Sequence, residues 1–365
     1  MSRVVLTGAA AAGFLGSRYG VTFRRRRVLP EPGRPLRRRF VALLRALRRG
    51  HKGFVSAWVA VSPWPGHLRL AKAEARSTVI LDETGGVAWK VLETDPAANP
   101  QSRFSLERFR LERDILARMH DAGLGLSPPM VEAGEQVGDA GGAYLGTRIL
   151  PGTVIPDPEQ WAGSLPGLLR ALTEWYRVAG IEAVSAAPEL DRLERAVRDG
   201  LPRGPLQAVC QRLLAIAGAH VGSCLGERQL LLSRVHGDLA PRNSLLTDAG
   251  LKLIDWGDAK YTSIFYDLLS AELGLVRHRR HIRAAGPVDW TPGRPDNDAA
   301  LFSQMGAGGG LHLVELAHAE GVTAPRLLEL NLIVAVLVRA LRRHAEGEDV
   351  FNSPRMRGLF RRCTA

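Results

Sequence analysis

The chain has 365 residues, 45% of them hydrophobic, and a formal net charge of +12. That is enough apolar material for a large core spread over two domains, and no run of about 18 apolar residues marks a membrane-spanning helix. Three cysteines, Cys210, Cys224 and Cys363, are too few and too scattered for a disulfide framework or a thiolate metal site, which fits a reducing, cytoplasmic compartment.

The charge is unevenly spread. Residues 1–52 hold 14 Lys and Arg against one acid, Glu31, while the remainder holds 35 basic and 36 acidic side chains. A nearly neutral globule with a basic N-terminal extension over 1–52 is expected. Residues 4–16 are small and weakly apolar behind Arg3. A secretory signal is conceivable there, but two glycines interrupt the run, and a disordered start fits at least as well. Arg24 to Arg27 and the Pro/Gly stretch Pro30 to Pro35 read as an extended linker. Over 36–49, Leu36, Phe40, Leu43, Leu44 and Leu47 share one helical face and arginines occupy the others. Three readings stay open: a helix docked on the globule, a helix lying on anionic lipid, or a nucleic-acid contact, the last being the weakest.

Short β segments begin after His51. Arg76 to Leu81 and Val87 to Leu92 flank Asp82-Glu-Thr-Gly-Gly86, a hairpin pattern. Lys90 lies among apolar neighbours on its second strand, so it needs a partner or must snorkel. Residues 102–121 read as a helix capped by Ser102 or Ser105, with Phe109, Leu116 and Met119 on one stripe. Glu112 falls on that stripe, and a glutamate on an apolar face wants a cation, for which Lys90 is the candidate. Glu107 is the alternative, although placement in the first turn explains it without function. Val131 to Val137 and Ala143 to Ile149 read as strands. Leu165 to Ala179, Leu190 to Asp199 and Leu206 to Ala217 read as helices.

The richest stretch is Val235 to Gly257. Asp238 stands in a loop and Asn243 follows five residues on. Ser244 to Leu246 and Leu251 to Ile254 then form a hairpin around Thr247-Asp-Ala-Gly250. The second strand delivers Asp255, backed by Gly257. An acid for a substrate hydroxyl, with an amide and an acid for Mg²⁺, is the apparatus of phosphoryl transfer.

His236-Gly-Asp238-Leu-x-x-x-Asn243 followed by Ile254-Asp-Trp-Gly257 resembles the catalytic and metal loops of the protein-kinase-like superfamily. Gly237 and the Asp-Trp-Gly triplet look most like the aminoglycoside phosphotransferase and choline kinase branch. The resemblance implies an α+β, two-lobed fold: a small β-rich N-lobe over 53–147, a larger, mostly helical C-lobe over 148–346 and a tail over 347–365. It implies ATP and Mg²⁺ as cofactors. Asp238 would be the base and Asn243 and Asp255 the metal ligands. Lys90 would hold phosphates and pair with Glu112. The hinge at Thr147 to Leu150, Thr147 and Ile149 included, would meet adenine through its backbone. His236 is expected to support the loop, and Asp267 to brace it. Arg242 is expected either to approach the γ-phosphate or to pair with an acid such as Asp258. The phosphate-covering loop would lie around Pro63 to Lys72, where only Gly66 is a glycine.

Only nine positions separate Asp258 from Asp267, no Ala-Pro-Glu follows, and Ala240 stands where protein kinases place a lysine. A small-molecule acceptor, an amino sugar, amino alcohol or sugar, is therefore expected. A Pro/Gly-rich loop over 280–310 with Asp289, Trp290, Asp296 and Asp298 suits a cationic acceptor or is ordinary solvated loop. Two alternatives stand beside this. One is a kinase of a lipid-linked sugar attached to the inner membrane face through residues 36–49. The other is a catalytically silent nucleotide-binding protein.

Overall fold

A computed structural model describes residues 5–6, 9–28, 55–63, 65–73, 77–93, 102–135, 142–154, 158–223, 230–278, 315–320, 322 and 325–345. The amphipathic stretch over 36–49 and the acidic loop around Trp290 lie outside these residues. The chain forms two units, Met1–His120 with Pro128–Leu150 and Asp121–Ser127 with Pro151–Ala365.

The first unit is β-rich. It opens with β1 (Val5–Leu6), α1 (Ala9–Tyr19), β2 (Phe23–Val28) and β3 (Val55–Ala60). There follow β4 (Leu68–Ala73), β5 (Ser77–Asp82), β6 (Val87–Glu93), α2 (Ser102–Asp121), β7 (Met130–Gly134) and β8 (Gly142–Arg148). A five-stranded antiparallel sheet runs β4-β5-β6-β8-β7, and a three-stranded sheet runs β1-β3-β2. The expected hairpin is β5 with β6, paired from Ser77↔Leu92 to Asp82↔Val87.

Strand alternation divides β6 between two tasks. Val87, Trp89 and Val91 join the core that α1 covers. Lys90, out of phase with them, reaches Glu112 of α2. Helix α1 is alanine-rich at its start, which favours helix. Gly20, at φ +66°, ends it, and Val21 N–H returns to Leu15 O at 3.3 Å. Its buried face is Ala10, Ala11, Phe14 and Leu15. Phe14 sits with ring centroids 5.4 Å from Trp89 and 5.2 Å from Tyr144. At the helix end Arg18 lies 3.9 Å over the Trp89 ring and donates to Glu132 at 2.9 Å, while Tyr19 donates to Asp82 at 2.9 Å.

Two expectations are corrected here. Residues 9–19 are not disordered, because alanines small enough to lie close on the sheet make α1 a core element. Arg24 to Arg27 is not a linker but the body of β2, paired with β3 from Phe23↔Ala60 to Val28↔Val55. As an edge strand it tolerates charge, which also discourages further strand pairing. Of the span Pro63 to Lys72, residues from Leu68 onward are strand, and the β4–β5 turn lies outside the described residues.

The second unit is mostly helical. It comprises β9 (Thr153–Val154), α3 (Pro158–Ala179), β10 (Glu182–Val184), α4 (Ala187–Gly200), α5 (Pro205–Ser223) and β11 (Leu230–Val235). The hairpin β12 (Ser244–Thr247) and β13 (Gly250–Leu253) comes next, then β14 (Lys260–Ser263), α6 (Phe265–His278) and α7 (Pro325–Ala345). Strand β11 lies between β10 and β14, and β12 between β13 and β9. In α3, Trp161, Leu165, Leu168, Leu172 and Trp175 are buried at helical spacing. Residues Leu327 to Leu337 of α7 are buried without a break, so this helix is the unit's centre. Within it Asn331 is fully buried: its Oδ1 accepts Leu231 N–H at 3.0 Å and its Nδ2 donates to Leu327 O at 2.8 Å. That side chain fixes α7 to β11, the strand that leads into the Asp238 loop.

Candidate active site

The loop after β11 is built around a buried acid. Asp267, fully buried at the start of α6, accepts His236 N–H at 2.7 Å through Oδ2 and Gly237 N–H at 2.8 Å through Oδ1. Tyr176 also donates to Oδ2 at 2.9 Å. Burial and the Asp267 carboxylate hold the Tyr176 phenol well above its ordinary pKa. His236 is fully buried, and Asp238 N–H points to its Nδ1 at 3.3 Å while its Nε2 lies 3.1 Å from Ile254 O. This pattern assigns the ring proton to Nε2 and makes His236 a strut between loop and hairpin.

Asp238 emerges from this frame with its side chain 16% exposed. Asn243, on a 3₁₀ turn over Pro241–Asn243, donates through Nδ2 to Asp238 O at 2.8 Å and to Oδ2 at 3.0 Å. Both contacts use the amide nitrogen, so Oδ1 is the atom suited to a cation. Arg242 also donates to Asp238 Oδ2. The acid that pairs with Arg242 is thus Asp238 and not Asp258, whose partner is Arg342 at 2.5 Å.

The loop carrying Asp255 follows directly. Ile254 N–H bonds Asn243 O at 3.0 Å, which sets Asp255 next to the Asp238 loop. Asp255 is exposed and adopts φ +65°, ψ +61°. Asp tolerates this left-handed conformation better than most residues, but it is strained. Trp256 holds the turn: it is fully buried, 4.6 Å from the His236 ring and 5.6 Å from the Trp175 ring, and donates to Ser127 Oγ at 2.8 Å. Gly237 explains the departure from the protein-kinase loop. It has φ +83°, and a Cβ there would stand 2.1 Å from Asp258 O.

The oxygen donors of Asn243 and Asp255 fit Mg²⁺, a hard cation. Among the described residues no group of three or more His, Cys, Asp or Glu is poised for a metal. Mg²⁺ shared between one or two side chains and substrate phosphates needs none.

In the first unit Lys90 donates to Glu112 at 2.6 Å, with side chains 22% and 5% exposed. Glu107 is exposed. Thr147 lies in the ladder opposite Ala88 and Met130. Ile149 gives its N–H to Gly86 O at 2.8 Å, so any backbone contact from it to a ligand must use its carbonyl.

A set of basic residues near Asp238 escapes the sequence reading. Helix α7 carries Arg339, Arg342 and Arg343. Arg342 Nη1 donates to Gly237 O at 3.2 Å, and Arg343 Nη2 lies 3.9 Å from Asp238 Oδ1. Arg339 donates to Ser270 Oγ at 2.6 Å, and Lys260 to Tyr266 OH at 2.9 Å. Burial pushes the Lys260 ammonium below its ordinary pKa, and Arg342 adds to that. Burial alone would push the Tyr266 phenol up, but Lys260, Arg339 and Arg342 bring it below its ordinary value. The available signal was the i, i+3, i+4 spacing of the arginines directly after a mostly apolar stretch of the same helix.

A family model described as "Phosphotransferase enzyme family" matches residues 79–289. Among solved structures the chain is similar to aminoglycoside phosphotransferase APH(4)-Ia, at 14% identity over 82% of this chain and 92% of that one, with a TM-score of 0.50. It is also similar to amicoumacin kinase hAmiN in complex with AMP-PNP, Ca²⁺ and Ami, at 14% identity over 82% and 87%, TM-score 0.46. A third is the GDP and kanamycin complex of an APH(2″) enzyme, at 15% identity over 83% and 94%, TM-score 0.45. The curated proteins contain no match. The likeness to APH(4)-Ia shows the fold, which is protein-kinase-like as the two loops led one to expect.

Proposed function

The chain belongs to the phosphotransferase enzyme family, and on that premise we propose that it is an ATP-dependent kinase that moves a γ-phosphoryl group to a hydroxyl of a small molecule. The observation that carries this reading is the Asp238 carboxylate, held by Asn243 on a loop that Asp267 fixes. In the proposed step Asp238 accepts the hydroxyl proton while the acceptor oxygen bonds to phosphorus. The bond from phosphorus to the bridging oxygen breaks, and ADP leaves with that electron pair. Lys90, positioned by Glu112, offsets phosphate charge. Asn243 and Asp255 hold Mg²⁺, which when bound neutralises phosphate oxygens. Thr147 and the Ile149 carbonyl offer backbone groups to adenine. Since the transition state is loose, alignment and charge neutralisation supply most of the rate.

The short path from the metal loop supports a small acceptor. The turn over Trp256–Asp258 passes into β14 after one residue, and α6 begins at Phe265. No segment is left there to form a peptide platform.

The test is Mg²⁺-dependent nucleotide turnover by wild type and Asp238→Ala. Nucleotide should bind both, and turnover should fall by about 10²–10⁴-fold in the variant. Failure of the wild type to bind nucleotide with Mg²⁺ present would sink the reading.

A further inference from the structure

The basic residues around Asp238 share a construction. Arg339, Arg342 and Arg343 stand at i, i+3 and i+4 of α7, on one face. Asn331, two turns earlier in the same helix, bonds the strand that leads to Asp238, so the helix and the loop keep a fixed register. Arg339 and Arg342 are spent on structure: one donates to Ser270 and the other ties Gly237 O to Asp258. Arg242 and Arg343 each face Asp238 itself, from opposite oxygens. Arg242 is also 49% exposed.

Asp238 Oδ2 accepts from both Arg242 and Asn243, while Oδ1, 3.9 Å from Arg343 Nη2, is the oxygen left to accept a hydroxyl proton. A planar guanidinium binds carboxylate and phosphate oxyanions bidentately. A cationic acceptor, by contrast, would bring like charge against Arg242 and Arg343.

We infer that the acceptor is an anionic hydroxyl compound whose phosphate or carboxylate is held by Arg242 and Arg343 beside Asp238. Binding of the oxyanion turns Arg242 from Asp238 Oδ2 toward the acceptor, whose hydroxyl then meets Oδ1. The two arginines thus orient the acceptor on the base. This inference rests on the phosphotransferase reading above and narrows its acceptor.

The full chain, saturated with Mg²⁺ and a non-hydrolysable ATP analogue, should be titrated calorimetrically with inorganic phosphate, acetate and tetramethylammonium. Phosphate should bind, acetate should bind more weakly, and tetramethylammonium should not. The phosphate and acetate arms separate the two oxyanion sources. Arg242→Gln and Arg343→Gln should each weaken phosphate binding by about tenfold or more, and Arg343→Lys, which keeps the charge without the two-pronged geometry, should recover only part of the loss. Affinity for the nucleotide analogue should stay within about twofold in each. Unchanged melting temperatures would verify that the variants fold, and Arg242→Gln, at an exposed site, serves if Arg343→Gln does not. Binding of tetramethylammonium in preference to phosphate would overturn the inference. So would phosphate binding that ignores both variants, or a loss of analogue affinity, which would reassign the arginines to the γ-phosphate. If the analogue fails to bind the wild type, the phosphotransferase reading falls first, before any anion is added.

Discussion

Gly237 and Asp258 touch through their backbones: a Cβ on Gly237 would lie 2.1 Å from the Asp258 carbonyl oxygen. The Asp238 loop and the Asp255 loop therefore have no freedom to move independently at this point. Gly237→Ala should destabilise the protein by about 2–4 kcal/mol, combining overpacking with a left-handed residue, and should reduce turnover together with it. Thermal melting and turnover on the same sample check this. A variant that is stable and fully active would show that the two loops separate readily.

Asp267 should matter to catalysis although it faces the core. Asp267→Asn is nearly isosteric, but it presents an amide N–H₂ to one of the two backbone N–H donors of His236 and Gly237. The expected cost is about 2–4 kcal/mol in stability, with a lower kcat and an unchanged KM for ATP. Tyr176→Phe removes only one of the three donors and should cost about 1 kcal/mol. Denaturant unfolding and steady-state kinetics on both variants would separate the bracing role from general destabilisation.

Lys90 and Glu112 should act as one unit. Lys90→Met should lower kcat/KM for ATP by about a hundredfold, and Glu112→Gln by less, because the lysine charge persists. The double variant should resemble Lys90→Met alone, since residues acting together are not additive. Full additivity in the measured kinetics would mean that Glu112 has a role apart from positioning Lys90.

The attachment of α1 predicts a pH window for the first unit. The hydrogen bond from Arg18 holds the Glu132 carboxyl below its ordinary pKa, aided by Tyr144. A depressed folded value means stability that is present above the unfolded pKa, about 4.3, and lost as pH falls through the folded value. Tyr19 behaves in the opposite way. Burial, then its bond to Asp82, raises the phenol to about 12. Its contribution is complete below the unfolded pKa of about 10 and disappears as pH rises toward the folded value. Unfolding across pH should show an acid limb flattened by Glu132→Gln and an alkaline limb flattened by Tyr19→Phe.

The Asp238 and Asp255 loops were legible because their pattern is local. Asp238, Asn243 and Asp255 flank one hairpin, and Gly250 with alternating apolar residues marks its turn. Lys90 and Glu112 were legible for another reason: each is a charge where the pattern wants an apolar residue. Helix α1 was not legible, because alanines and glycines give a weak helical stripe and its burial depends on Trp89 and Tyr144, far along the chain. Strand β2 was hidden by its arginines, which an edge strand tolerates and a linker pattern mimics. The α7 arginines were missed because the surrounding leucines and valines made the helix read as core alone. Their role depends on how that helix meets the Asp238 loop, and no local pattern encodes that register.

Helix α1 also sets a schedule for biosynthesis. Its partners Trp89 and Tyr144 leave the ribosome roughly 70 to 130 residues after it, which at about 5–20 residues per second is a delay of several to some tens of seconds. Throughout that interval Phe14 and Leu15, buried in the finished fold, have no sheet to cover them. The nascent chain thus offers an apolar face to chaperones early. Ribosome pausing between β3 and β8 would lengthen that exposure, whereas pausing after β8 would not.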